Sequence, residues 1–340
     1  MIWVPLEKHL EGIESVLLSP DGVLGRFPIA ALPGKVAGTY LIEELTFAVV
    51  PAARAIPSIL SATSPSKKVA ENMLLLGGVD YDVDLSEALV ENSPDSEKQF
   101  GRRTAVRGDE SMTFRAISGT VGEIATIAAI YIENYGNEGM TTLKGAAANE
   151  TFFRREAPRH LFLHLATHGF FAPAEVRSAL SGDAGYDPGL LSGIALAGAN
   201  RPQKDGDDSI VTAEEVETLD LRGTQLAVLS ACETGLGEVA GGEGLLGLQR
   251  AFQVAGAKTV IASLWKVDDR ATRDLMERFY KNLWTDEMGT QEALREAQLW
   301  MLKEGATRGA VNLTEDAADS EPTNLPPFYW AAFVLSGDWQ

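Results

Sequence analysis

The chain has 340 residues, 45% of them hydrophobic and 23% charged, with one cysteine and a formal net charge of −19. That length suits about two domains or one large α/β unit, and the ordinary composition excludes a disordered chain or a coiled coil. A single cysteine excludes an internal disulfide framework and a cysteine-built zinc site. The acidic balance argues against direct nucleic-acid contact, which needs clustered Lys and Arg, and favours basic partners.

The opening stretch MIWVPLEKHL lacks the basic-then-apolar pattern of a secretory signal. No run reaches the ~20 uninterrupted apolar residues of a membrane helix; LTFAVVPAARAIPSIL is broken by Pro51, Arg54 and Pro57. A cytoplasmic protein with no membrane contact is expected.

Strand-like runs at Ser15–Ser19, before an Asp21-Gly22 turn, and at Leu45–Val50 belong to an N-terminal α/β part, residues 1–66. A linker at 61–68 leads into a core over 67–340. Met73–Leu76 reads as a buried strand ending in Gly77-Gly78, and residues 79–117 as a polar surface excursion. Ile124, Ile127, Ala128 and Tyr131 share helical spacing, with Gly136 as the stop. Leu161–Thr167, Gln225–Ala231 and Thr259–Trp265 are nearly all apolar, the pattern of strands covered on both faces. The loop 172–210 joins the first two, and Thr212-Ala-Glu-Glu215 is a capping box. Helical faces follow at Leu245–Ala255, stopped by Gly256, then at Ala271–Leu283 and Ala293–Leu302. A polar segment (306–324) precedes a last strand at Tyr329–Ser336. Alternating strands and helices imply right-handed crossovers, so the expected fold is an α/β sandwich with a largely parallel sheet.

Two residues with chemistry stand at strand ends. His168 closes HLATHG and Cys232 follows Gln225–Ala231 in LSACETGLG. The carboxyl ends of parallel strands are where such sheets build sites. A thiolate is a nucleophile, and a neighbouring imidazole activates it or protonates a leaving group. The backbone N–H groups of Gly169 and Cys232 are placed to stabilise an oxyanion. The competing reading of a lone cysteine is a small buried hydrophobe.

His160, His164 and His168 share a strand face but span about 26 Å at ~3.3 Å per residue, too far for one metal ion. His164 reads as a core or supporting histidine and His160 as a strand-start residue. Gly235-Leu-Gly237-Glu-Val-Ala240 fits a dinucleotide template, yet Cys-Glu-Thr intervenes after the strand and position 257 is alanine. Residues 235–244 read instead as a loop beside the nucleophile.

HLATHG and LSACETGLG together resemble the CHAT domain, a caspase-like, separase-related cysteine peptidase domain of clan CD. SPDGVLGRFPIAAL (19–32), GLQRAFQVAGAKTVIASLWKVDD (247–269) and FYWAAFVLSGDW (328–339) extend the resemblance over nearly the whole chain. It implies a caspase-like α/β/α sandwich, with 1–66 as the remnant of a pseudo-caspase half. It implies a cysteine endopeptidase with a His168/Cys232 dyad and no metal or organic cofactor. Expected partners are a protein or peptide substrate and an activating partner, such as the tetratricopeptide repeats that often accompany the family. The alternative is a non-catalytic caspase-like interaction module. Glu233 beside the cysteine opposes thiolate formation. Separase-like relatives carry an acidic pocket residue in the segment matching Trp265–Asp269, which makes Asp269, then Asp268, a substrate-binding candidate. A helix N-cap role explains an aspartate there equally well.

Overall fold

A computed structural model describes residues 3–20, 24–25, 27–50, 53–61, 71–85, 113–171, 192–201, 208–230, 232–233, 243–305 and 324–339. The Asp21-Gly22 turn, nearly all of the 61–68 linker, and most of 79–117, 172–210, 235–244 and 306–324 lie outside them. Among the described residues the strands are β1 (Ser15–Leu18), β2 (Thr46–Val49), β3 (Met73–Val79), β4 (Met140–Gly145), β5 (Phe162–Leu165), β6 (His168–Phe171), β7 (Ser192–Ala195), β8 (Ile210–Thr212), β9 (Leu226–Leu229), β10 (Cys232–Glu233), β11 (Thr259–Ser263) and β12 (Phe333–Gly337). The long helices are α1 (Gly119–Tyr135), α2 (Glu243–Val254), α3 (Asp269–Tyr280) and α4 (Thr290–Glu304).

Eight strands form the central sheet in the order β1-β2-β12-β11-β9-β5-β3-β4, parallel throughout except for the β11–β12 pair. The central strands β5, β9 and β11 are buried at every position, because helices cover both faces. Alternation then sorts their side chains. Leu74, Leu76, Leu163, Leu165, Ala227 and Leu229 face one core with Leu248, Ala251 and Phe252 of α2 and Phe153 of the helix Glu150–Glu156. Met73, Leu75, Phe162, Leu226 and Val228 face the other with Ile124 and Ile127 of α1, Leu275 and Phe279 of α3, and Ala297 of α4. The α/β/α sandwich is the caspase-like architecture expected.

β1 and β2 extend this same sheet, Val49 pairing with Ser336 of β12. Arg295 of α4 ties the N-terminal part down by donating from Nε to the Ile42 carbonyl (3.0 Å). A second sheet, ordered β10-β6-β7-β8, stands at the carboxyl end of β5 and β9.

Local signals act as expected. α1 stops at Gly136, and Thr212 closes its capping box with Glu215. Several assignments differ: the expected loop 172–210 holds the fully buried strand β7, and the expected surface excursion 79–117 buries Tyr81, Leu85 and Phe114 against the core. The stretch expected as strand from Tyr329 begins instead as a helical turn, Pro327–Trp330, and the strand is Phe333–Gly337. Proline at the first helical position presets φ, and buried Trp330 anchors the turn by donating from Nε1 to the Leu325 carbonyl (2.9 Å). β4 was not foreseen: it is an edge strand in which Leu143 alone is buried, so its sequence carries no alternation.

Gly256 has φ +116°, and a Cβ there would meet the Arg222 backbone N at 2.7 Å. Gly256→Ala is therefore expected to lose roughly 1–3 kcal/mol in urea unfolding. Gly223→Ala, where a Cβ meets nothing within 4 Å, should stay within about 0.5 kcal/mol of the parent.

Candidate active site

β5 and β9 pair in parallel with a constant offset, Phe162 facing Leu226 and Leu165 facing Leu229. The chain leaves the large sheet after each strand and re-pairs in the small one with that same offset of 64 residues: Cys232 of β10 is the parallel partner of His168 of β6. Paired positions share a face, so the two residues singled out in the sequence lie side by side at the strand ends. Of Cys232 and Glu233 the backbone alone is described.

The step between sheets is pinned by hydroxyl groups. Thr167 Oγ1 donates to the Ala195 carbonyl at 2.5 Å and lies 2.9 Å from the Tyr81 hydroxyl. The His168 backbone N–H donates to that same tyrosine oxygen at 3.3 Å. Burial pushes the Tyr81 hydroxyl up to about 12, so it stays protonated. Gly169 follows in β6 and is bordered by β10 on one side and β7 on the other.

The His168 imidazole is 6% exposed and lies against the rings of Tyr81 and Phe114, with centroids 5.2 and 5.7 Å away. Nε2 is 2.6 Å from the Arg115 carbonyl. A carbonyl only accepts, so Nε2 carries the hydrogen and Nδ1 holds the lone pair of the neutral ring. Nδ1 is buried with no hydrogen-bond partner among the described residues. Burial lowers the His168 pKa below 6.5, helped by Lys266, while the Arg115 carbonyl and Asp269 pull the other way. The imidazole is neutral at neutral pH, and its basic nitrogen meets no hydrogen-bond partner among the described residues.

What fixes Arg115 is Asn200, a residue the sequence did not single out. Its Oδ1 accepts from the Phe114 N–H (2.8 Å), and its Nδ2 donates to the Phe114 carbonyl (2.8 Å) and to Asp82 (2.9 Å). One amide thus replaces a strand partner for the segment that orients the imidazole.

Beside His168 lies a cavity of about 260 Å³, lined also by Thr167, Ser230, Glu123, Lys266, Asp269 and the wall 115–120. Gly119 forms part of that wall: a Cβ on it would stand 2.4 Å from the Asp269 Cβ. Asp269 is exposed there. Asp268 takes the helix cap instead, its Oδ1 accepting from the N–H groups of Arg270 (2.9 Å) and Ala271 (3.1 Å), and it does not line the cavity. His164, fully buried, has Nε2 3.0 Å from Glu123 and Nδ1 3.1 Å from the Tyr280 hydroxyl. His160 contacts the Glu156 carbonyl and Thr141. Among the described residues no three His, Cys, Asp or Glu side chains converge on a metal position, and no helix is long and apolar enough to cross a membrane.

A family model described as the CHAT domain matches residues 1–338. The chain belongs to the CHAT domain family. Its fold is similar to that in the crystal structure of the Arg-specific cysteine proteinase gingipain R, with a TM-score of 0.52 and 10% identity over 99% of the CHAT chain and 65% of that chain. The Saccharomyces cerevisiae separase–securin complex also matches, with a TM-score of 0.48 and 11% identity over 98% of the CHAT chain and 16% of that chain. The CHAT chain thus spans less than two-thirds of either neighbour, and at such identities the likeness concerns the fold. No curated protein matches it by sequence.

Two outcomes follow for His168. Its folded pKa lies below the unfolded ~6.5, so below about pH 6.5 the unfolded CHAT chain binds a proton that the folded one refuses. Stability should fall as pH drops through that window. His168→Gln should flatten this slope in denaturation curves taken between pH 7.5 and 5. Asn200→Ala should release Arg115, so that imidazole ¹⁵N shifts, which report the Nε2–H form in the parent, report a tautomer mixture. An unchanged Nε2–H signature would show that Asn200 does not orient the ring.

Proposed function

We propose that the chain is a cysteine endopeptidase acting on a protein or peptide substrate through a Cys232/His168 dyad. The parallel pairing of Cys232 with His168, beside a cavity, is the observation that supports this most. Nδ1, which holds the lone pair, is the acid/base atom. It takes the thiol proton as sulfur bonds to the scissile carbonyl carbon, and the oxyanion is held by the backbone N–H groups of Gly169 and Cys232. As the carbon–nitrogen bond breaks, Nδ1 returns that proton to the leaving amine, leaving a thioester. Water then attacks, giving its proton to Nδ1, and the thiol leaves with it. Neither metal nor organic cofactor enters this cycle.

With a neutral imidazole as the activating base, thiolate formation in the resting state is not favoured. Activation by a regulatory partner, a tetratricopeptide-repeat region among the candidates, fits that state. The cavity beside His168 is the proposed P1 pocket, and Asp269 in it favours a basic P1 residue; Asp268, the second candidate, is taken by the helix cap. The similarly folded gingipain R is itself described as Arg-specific.

A peptidyl electrophile with P1 Arg should label Cys232 once and stoichiometrically. Cys232→Ala should lose both labelling and cleavage, and His168→Ala should lose turnover while keeping some alkylation. Full turnover by Cys232→Ala would refute the reading. In kcat/KM, P1 Arg should exceed P1 Leu by roughly ten- to hundredfold, the worth of a charge-assisted hydrogen bond, with P1 Asp lowest. A wild-type preference for Leu or Asp would remove the acidic-pocket assignment.

A further inference from the structure

The outer face of α1 is a surface that neither the fold nor the site accounts for. Of its 17 residues only Glu123 and Glu133 are charged, and Glu123 is buried on the inward face with Thr120, Ile124, Ile127, Ile130 and Tyr131. A helix with one buried face normally turns charged residues to water. Here Val121, Ala125, Ala128, Ile132 and Tyr135 follow one another at spacings of four, three, four and three instead, a second apolar stripe. Val121 and Ile132 are each 38% exposed and Tyr135 37%, and Ala125 and its neighbour Ala129 are exposed too. That spacing is the seam by which one helix packs on another, yet among the described residues it faces solvent.

The borders of the stripe are charged, with opposite signs at its two ends. At the N-terminal end Arg273 of α3 runs over Gly122, where a Cβ would meet its Nη1 at 3.6 Å. The only ion pair of Arg273 among the described residues, to Asp274, is long at 3.5 Å. Lys144 of β4 stands beside Val121, both of them crowding Gly78. At the C-terminal end stand exposed Glu133, on the row of Gly122 three turns further on, and exposed Glu138 in the turn that follows.

We infer that this face docks a second copy of the chain, α1 against α1, antiparallel about a two-fold axis. An isologous contact must be self-complementary, and the stripe is. Under such an axis Ala125 falls opposite Ile132 and Val121 opposite Tyr135, with Ala128 and Ala129 at the axis, where their small side chains let the helices approach. The axis also lays each flank on the same flank of the other copy with its ends reversed. Arg273 of each copy then meets Glu133 of the other, and Lys144 turns toward Glu138. A parallel pairing would set like charges together, so the charges select the antiparallel one. The net charge of −19 opposes self-association, which makes these few matched cations decisive for the register. One helix pair is a small interface, so association in the micromolar range is expected. The inference does not depend on the peptidase reading.

The test is sedimentation equilibrium of the intact chain at an ionic strength of about 0.15 M, where self-repulsion is screened beyond about 8 Å. The parent should show a monomer–dimer equilibrium. Ala125→Glu, an exposed change that leaves the helix its propensity, puts a charge in the seam and should leave only monomer. Glu133→Arg and Arg273→Glu each set like charges together twice in a dimer, and each should weaken association by roughly tenfold or more. An equimolar mixture of those two variants should associate as tightly as the parent, because both pairs in the mixed dimer are again opposite in sign. A purely structural role for either residue does not produce that rescue. A parent that stays monomeric throughout the micromolar range, a dimer indifferent to Ala125→Glu, or a mixture no tighter than its two components would each overturn the inference.

Discussion

The register between two parallel strands is the constraint on which the site depends. The 64-residue offset that aligns β5 with β9 survives the passage into the small sheet and sets His168 opposite Cys232. Side chains alternate with a period of two, so a slip of one residue would turn one of the pair to the opposite face. The offset is guarded by burial: a slip would drive Leu163, Leu165, Ala227 and Leu229 out of the core they share with α2. The pairing of His168 with Cys232 is thus enforced by hydrophobic side chains that do not line the cavity.

A second layer of order is polar. Asn200 pairs with the backbone of Phe114, the next carbonyl holds Nε2 of His168, and Tyr81 and Thr167 pin the backbone below. Burial against Tyr81 and Phe114 then keeps the ring neutral. Lys266 and Asp269 pull its titration in opposite directions, so desolvation sets the outcome. The acidic charge of the whole chain does not fix this chemistry locally; the groups within a few ångströms do.

Much of this was legible in the sequence, and the rest was hidden for identifiable reasons. The all-apolar runs of β5, β9 and β11 announced doubly covered strands, and their ends announced His168 and Cys232. The cap that the aspartate pair suggested is real and falls on Asp268, leaving Asp269 in the cavity. Asn200 and Arg115 act through the backbone over 86 and 53 residues of separation, and such contacts leave no pattern in composition or spacing. β4 was missed because an edge strand needs little burial. Glu123 did leave a signal, a carboxylate on the inward stripe of α1, and the buried His164 marked where its partner would be.

The central claim is that His168 and Cys232 face one cleft and work on one bond. The most direct measurement is a crystal structure of the chain after reaction with a peptidyl-arginine chloromethyl ketone, which alkylates a reactive thiol with loss of chloride. The account predicts one thioether, on Cys232, with the imidazole Nδ1 of His168 turned toward the adduct and the guanidinium inside the cavity beside His168. A Cys232 side chain on the opposite face of the sheet from His168, or an adduct on another residue, would contradict it.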